Sequence, residues 1–113
     1  MEITTEQYSI KYDAETAAIH CQGILRLNGK EYEPIAHLLN QVAALEPPRI
    51  TLNLRELKAN NSSGITMLGK FVFVVAKKKT IQLLIQGTQK IAWQKKSVMN
   101  FQRLMPKLQL EWE

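Results

Sequence analysis

Cysteine is nearly absent from this chain: Cys21 stands alone in 113 residues, so no internal disulfide can form and no cysteine cluster can hold a metal. Histidine is scarce too, with only His20 and His37, neither of them adjoining the serine pair Ser62-Ser63 in sequence. No Gly-x-Ser-x-Gly elbow occurs, and Gly64 and Gly69 lack the spacing of a Walker or dinucleotide loop. An enzyme is therefore not expected, nor is a cofactor or a metal. Long apolar runs are missing too: nothing approaches the roughly 20 residues of a membrane span. The N-terminus, Met1-Glu2-Ile3-Thr4-Thr5-Glu6, is polar and acidic where a signal peptide is basic and then apolar. A cytoplasmic protein with no membrane association is the expectation.

Acid is missing from one half of the chain. Between Leu57 and Leu110 there is no Asp or Glu, while Lys58, Lys70, Lys77, Lys78, Lys79, Lys90, Lys95, Lys96, Arg103 and Lys107 supply most of the positive side of a net charge of +5. Such asymmetry steers acidic partners and is compatible with nucleic acid, for which Trp93 and Phe101 could stack bases. The plainer reading is a solvated basic helix surface, with Phe101 in the core and Trp93 partly buried near the sheet edge. Nucleic acid is accordingly the less favoured partner.

What is present is a full complement of core-forming residues, 45% hydrophobic, enough for one domain spanning 1–113. Tyr8 to Leu27 alternates around a turn at Asp13-Ala14-Glu15-Thr16 and predicts two adjacent strands, with Gly23 marking a bulge or a close backbone approach. From Tyr32 the period lengthens. Ile35, Leu38, Leu39, Val42 and Leu45 recur at three and four residues, predicting an amphipathic helix that Pro47-Pro48 ends. Ile50 to Leu54 reads as a central strand.

A polar turn, Asn60-Asn61-Ser62-Ser63-Gly64, then leads into an apolar segment from Ile65 to Ala76. Phe71-Val72-Phe73-Val74-Val75 has the composition of a strand. Yet Ile65, Leu68, Val72 and Val75 lie at helical spacing, Asn61 or Ser62 suits an N-cap, and Lys77-Lys78-Lys79 suits a helix C-terminus. A helix from about Ser63 to Lys78 is predicted. Ile81 to Gln86 reads as another strand, Ile91, Val98, Phe101 and Met105 as a further helix, and Leu108 to Trp112 as a last strand. Successive β-α-β passages imply right-handed crossovers and a partly parallel sheet, hence an α/β fold with a mixed sheet flanked by helices.

This order of elements, with Gly23-Ile24-Leu25 ahead of the first helix and Asn61-Ser62-Ser63-Gly64-Ile65 followed by Leu68-Gly69-Lys70, resembles the STAS domain of the bacterial anti-sigma-factor antagonists. The resemblance spans nearly the whole chain. It implies partner switching: an unphosphorylated antagonist docks on an anti-sigma factor that is also a serine protein kinase, phosphorylation abolishes docking, and a serine phosphatase restores it. By the same match Ser62 is the phosphorylation site, and Asn61, Ser63, Gly64 and Lys70 belong to its turn and the partner-binding surface. The family's usual aspartate in this turn is Asn61 here, which keeps the size and capping capacity and removes a negative charge. A STAS scaffold that binds without being phosphorylated is the alternative reading, and a basic nucleic-acid-binding domain a more remote one.

Overall fold

A computed structural model describes residues 1–113, and its strands lie in the sheet in chain order, β1-β2-β3-β4-β5-β6. They span Glu2–Thr4 (β1), Tyr8–Asp13 (β2), Ala18–Leu25 (β3), Arg49–Asn60 (β4), Gln82–Gly87 (β5) and Gln109–Trp112 (β6). The first three pair antiparallel; β3 to β6 pair parallel. The helices α1 (Glu33–Ala44), α2 (Ser62–Lys78) and α3 (Ala92–Leu104) form the three crossovers, and a 3-10 turn over Gly29–Tyr32 precedes α1. The protein is thus a single α/β domain with a mixed six-stranded sheet.

Right-handed crossovers that all step in the same direction put all three helices on one face of the sheet, with α2 between α1 and α3. The core lies in that one interlayer space. Ile50, Leu52 and Leu54 of β4 point into it, against Leu68, Val72 and Val75 of α2, each at most 1% exposed. The opposite face is a polar row in register across all six strands, Glu2, Lys11, His20, Asn53, Gln86 and Glu111. Alternation within each strand separates the two faces.

The segment Phe71 to Val75 is helical despite its β-branched content. Phe71, Val72 and Val75 are buried on the side that meets the sheet and the neighbouring helices, so packing outweighs intrinsic propensity. Leu45 departs from the expected buried stripe: α1 ends at Ala44, and Leu45 is 59% exposed at its C-cap. Strand β1 and the 3-10 turn carry no periodicity from which the sequence predicts them. Gly23 makes a close approach, with φ +95°, and a Cβ there would overlap the carbonyl oxygen of Gln7. A register shift between β3 and β4 falls at the same place.

β4 runs seven residues beyond its last pairing with β5, at Asn53. A bulge after Asn53 re-phases the strand so that Leu54 and Leu57 both face the core. The carbonyls this leaves without strand partners are taken by α3: the Gln94 amide donates to Leu54 O (2.6 Å) and Leu57 O (3.2 Å), and Trp93 Nε1 donates to Leu57 O (3.0 Å). Gln94 is fully buried, and its Oε1 accepts from the backbone N–H of Thr88 at 2.9 Å. Arg55 closes the same end from the other face, donating to Gly87 O and pairing with Glu111 at 3.0 Å.

Replacing Leu68 with Ala is expected to cost about 2–5 kcal/mol in chemical denaturation, the range for deleting a buried leucine side chain. Burial also pushes the Cys21 thiol up to about 12 from an ordinary value of 9.0. The unfolded chain therefore loses this proton first, and from about pH 9 towards 12 the thiol draws stability away at up to about 1.4 kcal/mol per pH unit. Unfolding measured across that window should show a shallower decline for Cys21→Ala than for the natural chain.

Candidate functional site

The polar turn closes the carboxyl end of β4, where the parallel strands and the N-termini of all three helices meet. Asn61 is the N-cap of α2, with extended backbone and its side-chain Oδ1 accepting from Gly64 N–H at 2.9 Å. That bond satisfies one of the orphan donors of the first helical turn. The same oxygen accepts from the Tyr32 hydroxyl at 2.6 Å, and Asn61 Nδ2 donates to Leu27 O at 2.9 Å. Tyr32 in turn accepts from Leu27 N–H at 3.3 Å. One carboxamide therefore joins the end of β4, the start of α2 and the segment that leads into α1.

Burial raises the pKa of the Tyr32 phenol, and the hydrogen bond from Leu27 N–H acts in the opposite direction. The hydroxyl stays protonated near neutral pH and remains a donor to Asn61. Gly64 is the third residue of α2 and buried, and a Cβ there would overlap Asn60 Oδ1 and crowd the Tyr32 hydroxyl. Any larger residue there would force the Asn60 side chain and the Tyr32 hydroxyl to move. The Asn60 carboxamide is enclosed beside it with neither Oδ1 nor Nδ2 hydrogen-bonded, a local cost of about 1–3 kcal/mol.

Ser62 and Ser63 are the first two residues of α2, and both are exposed. They stand at one end of a groove of about 710 Å³ between α1 and α2, which Thr66 and Lys70 also line. Its other wall carries Glu33 and Ala36, and its apolar lining includes Met67 and Phe73. Along α2 the exposed residues Ser62, Thr66, Lys70, Phe73 and Lys77 recur at three and four positions and form one ridge. The Lys77 ammonium sits 4.7 Å from the centre of the Phe73 ring, which is 46% exposed.

All five residues singled out from the sequence, Asn61, Ser62, Ser63, Gly64 and Lys70, thus lie on one helix start and its first three turns, with Lys70 and the serines on the same groove. The histidines do not join them: His20 belongs to the polar sheet face between Lys11 and Asn53, and His37 is exposed on α1. The two proposed base-stacking residues serve the fold. Phe101 is 3% exposed, and Trp93 is half-buried with its indole N–H bonded to Leu57 O. Sequence reasoning missed Tyr32, Leu27 and Gln94. Of these only Gln94 left a trace, since it is in phase with Val98, Phe101 and Met105 on the buried stripe of α3.

The whole chain superimposes on SiaC of Pseudomonas aeruginosa. With a SiaC structure the TM-score is 0.69 at 14% identity, covering 99% of this chain and 93% of that one. With the complex of diguanylate cyclase SiaD and its activator SiaC, from the same organism, it is 0.74 at 13% identity, covering 100% of this chain and 99% of the matched one. At such identity the likeness establishes the fold. No protein-family model matches the sequence, and no curated protein does. No helix of the protein is long and apolar enough to cross a membrane.

Removing the Asn61 side chain with Asn61→Ala should lower stability by about 1–3 kcal/mol, because buried partners on two sides lose their bonds. Asn61→Asp preserves the acceptor and turns the donor towards Leu27 O into a second acceptor. It is expected to be destabilising at neutral pH as well; facing a carbonyl raises the carboxyl's pKa in the folded chain, so part of the loss is recovered as the pH falls from neutral towards about 4. Thermal midpoints of the two variants between pH 3 and 7 test this, and an aspartate variant as stable as the natural chain at pH 7 contradicts it.

Proposed function

We propose that this chain is a regulatory interaction module of the STAS type, with no catalytic activity of its own. It docks on a partner protein through the α2 ridge and the α1–α2 groove, and phosphorylation of Ser62 switches that docking off. The observation that carries the reading is the position of Ser62: exposed, at the first residue of a 17-residue capped helix, and on the wall of the groove. The helix N-terminus favours negative charge, so a phosphate at Ser62 is tolerated by the fold. Nearly two added negative charges at the groove mouth would oppose a partner seated there.

The likeness to SiaC, an activator of a diguanylate cyclase, supports a protein as the ligand. The STAS resemblance makes that protein an anti-sigma factor with serine kinase activity, and a serine phosphatase the resetting enzyme. Lys70 and Lys77 act mainly on the association rate and its salt dependence, as exposed charges do. A second reading, a module that binds without being phosphorylated, is favoured by Asn61. The hydrogen bonds that order this turn need no modification, and the family's acidic neighbour to the serine is missing.

The kinase recovered with the protein by pull-down, supplied with ATP, should add one phosphate, placed at Ser62 by mass spectrometry. Ser62→Ala should abolish the labelling and Ser63→Ala should not. Ser62→Asp should weaken capture of the partner with little change in the thermal midpoint. Labelling of neither serine, with capture intact, selects the second reading; full capture by Ser62→Asp places the interface elsewhere.

A further inference from the structure

A second groove, about 560 Å³, runs between α2 and α3 on the far side of the ridge. Its floor is Gly69, packed over the buried Phe101 ring, and its walls expose Phe73 and Leu104, 46% and 43% accessible. Lys70 and Arg103 rim it. The two helices that build it, Ser62–Lys78 and Ala92–Leu104, carry Lys70, Lys77, Lys78, Lys95, Lys96 and Arg103 and not one Asp or Glu. The α1–α2 groove, by contrast, has Glu33 on its wall.

From this combination we infer that the α2–α3 groove binds an acidic amphipathic helix of a partner protein. Two exposed apolar side chains in a channel between helices accept residues projecting at a spacing of three or four. A helix with an apolar stripe offers these while holding carboxylates on both sides of the stripe. Those carboxylates meet cations on both rims, and no like charge on either helix opposes them. Nucleic acid would match the charge but leave Phe73 and Leu104 without apolar partners, and the buried Phe101 provides no stacking platform.

The test uses the unmodified full chain, so its outcome does not depend on the Ser62 switch. Four dye-labelled probes are titrated by fluorescence anisotropy: a synthetic helix with a leucine stripe and glutamate flanks, the same stripe with lysine flanks, the glutamate helix with its leucines replaced by serine, and single-stranded oligo-dT. Only the first should bind saturably, and its affinity should fall as salt rises. Arg103→Glu and Leu104→Glu should each weaken it by about tenfold or more, with unchanged thermal midpoints since both positions are exposed. Leu104→Ser reads the same contact if the charged variant unfolds. The double change Lys70→Glu with Arg103→Glu should transfer preference to the lysine-flanked helix. Equal binding of the serine-substituted helix or of oligo-dT, indifference to the Arg103 and Leu104 changes, or no binding of the first probe overturns the proposal.

Discussion

In a sheet whose strand order is its chain order, each right-handed crossover steps the same way, and the helices have no choice but to share one face. That constraint makes α2 the middle helix, wedged between α1 and α3 and packed on the long central strand. It also leaves α2 with a single outward ridge and a groove on each side. The opposite sheet face is uncovered, which is why its residues form a polar row while the strands' other residues fill the core. Both candidate binding surfaces come from the same topological fact.

Within that frame the start of α2 is held by a small set of directional bonds. Asn61 uses its acceptor twice and its donor once, so the backbone at Ser62 and Ser63 is tied to Leu27 and Tyr32 in the segment that leads into α1. Two exposed hydroxyls are therefore presented on a rigid helix start. Such rigidity is what a recognition surface needs, since ordering it on binding would cost free energy. The same bonds explain why asparagine serves here: its amide must donate to a carbonyl, which an ionised aspartate cannot do.

Much of this was legible in the sequence, and for identifiable reasons. The periodic spacing of Ile35 to Val42 and of Ile65 to Val75 located α1 and α2, and the polar turn located the candidate site. Where the pattern misled, the cause was local. Leu45 continues the spacing after the helix has stopped, and the alternation that marks β4 breaks after Leu54, where the bulge lies. Tyr32 and Leu27 could not be connected to Asn61 from sequence, because hydrogen bonds across about thirty residues leave no periodic trace. The buried Gln94 was readable in principle, as a polar residue in phase with an apolar stripe.

The overhanging end of β4 has a bearing on solubility. A strand that outruns its neighbour exposes a row of unpaired backbone groups, which is the template that foreign strands add to in aggregation. Here the carbonyls of Leu54 and Leu57 are occupied by a carboxamide and an indole from α3, so the helix acts as a plug for an edge inside the sheet. Trp93 and Gln94 thereby guard the chain against strand addition between molecules, even though neither residue belongs to a strand.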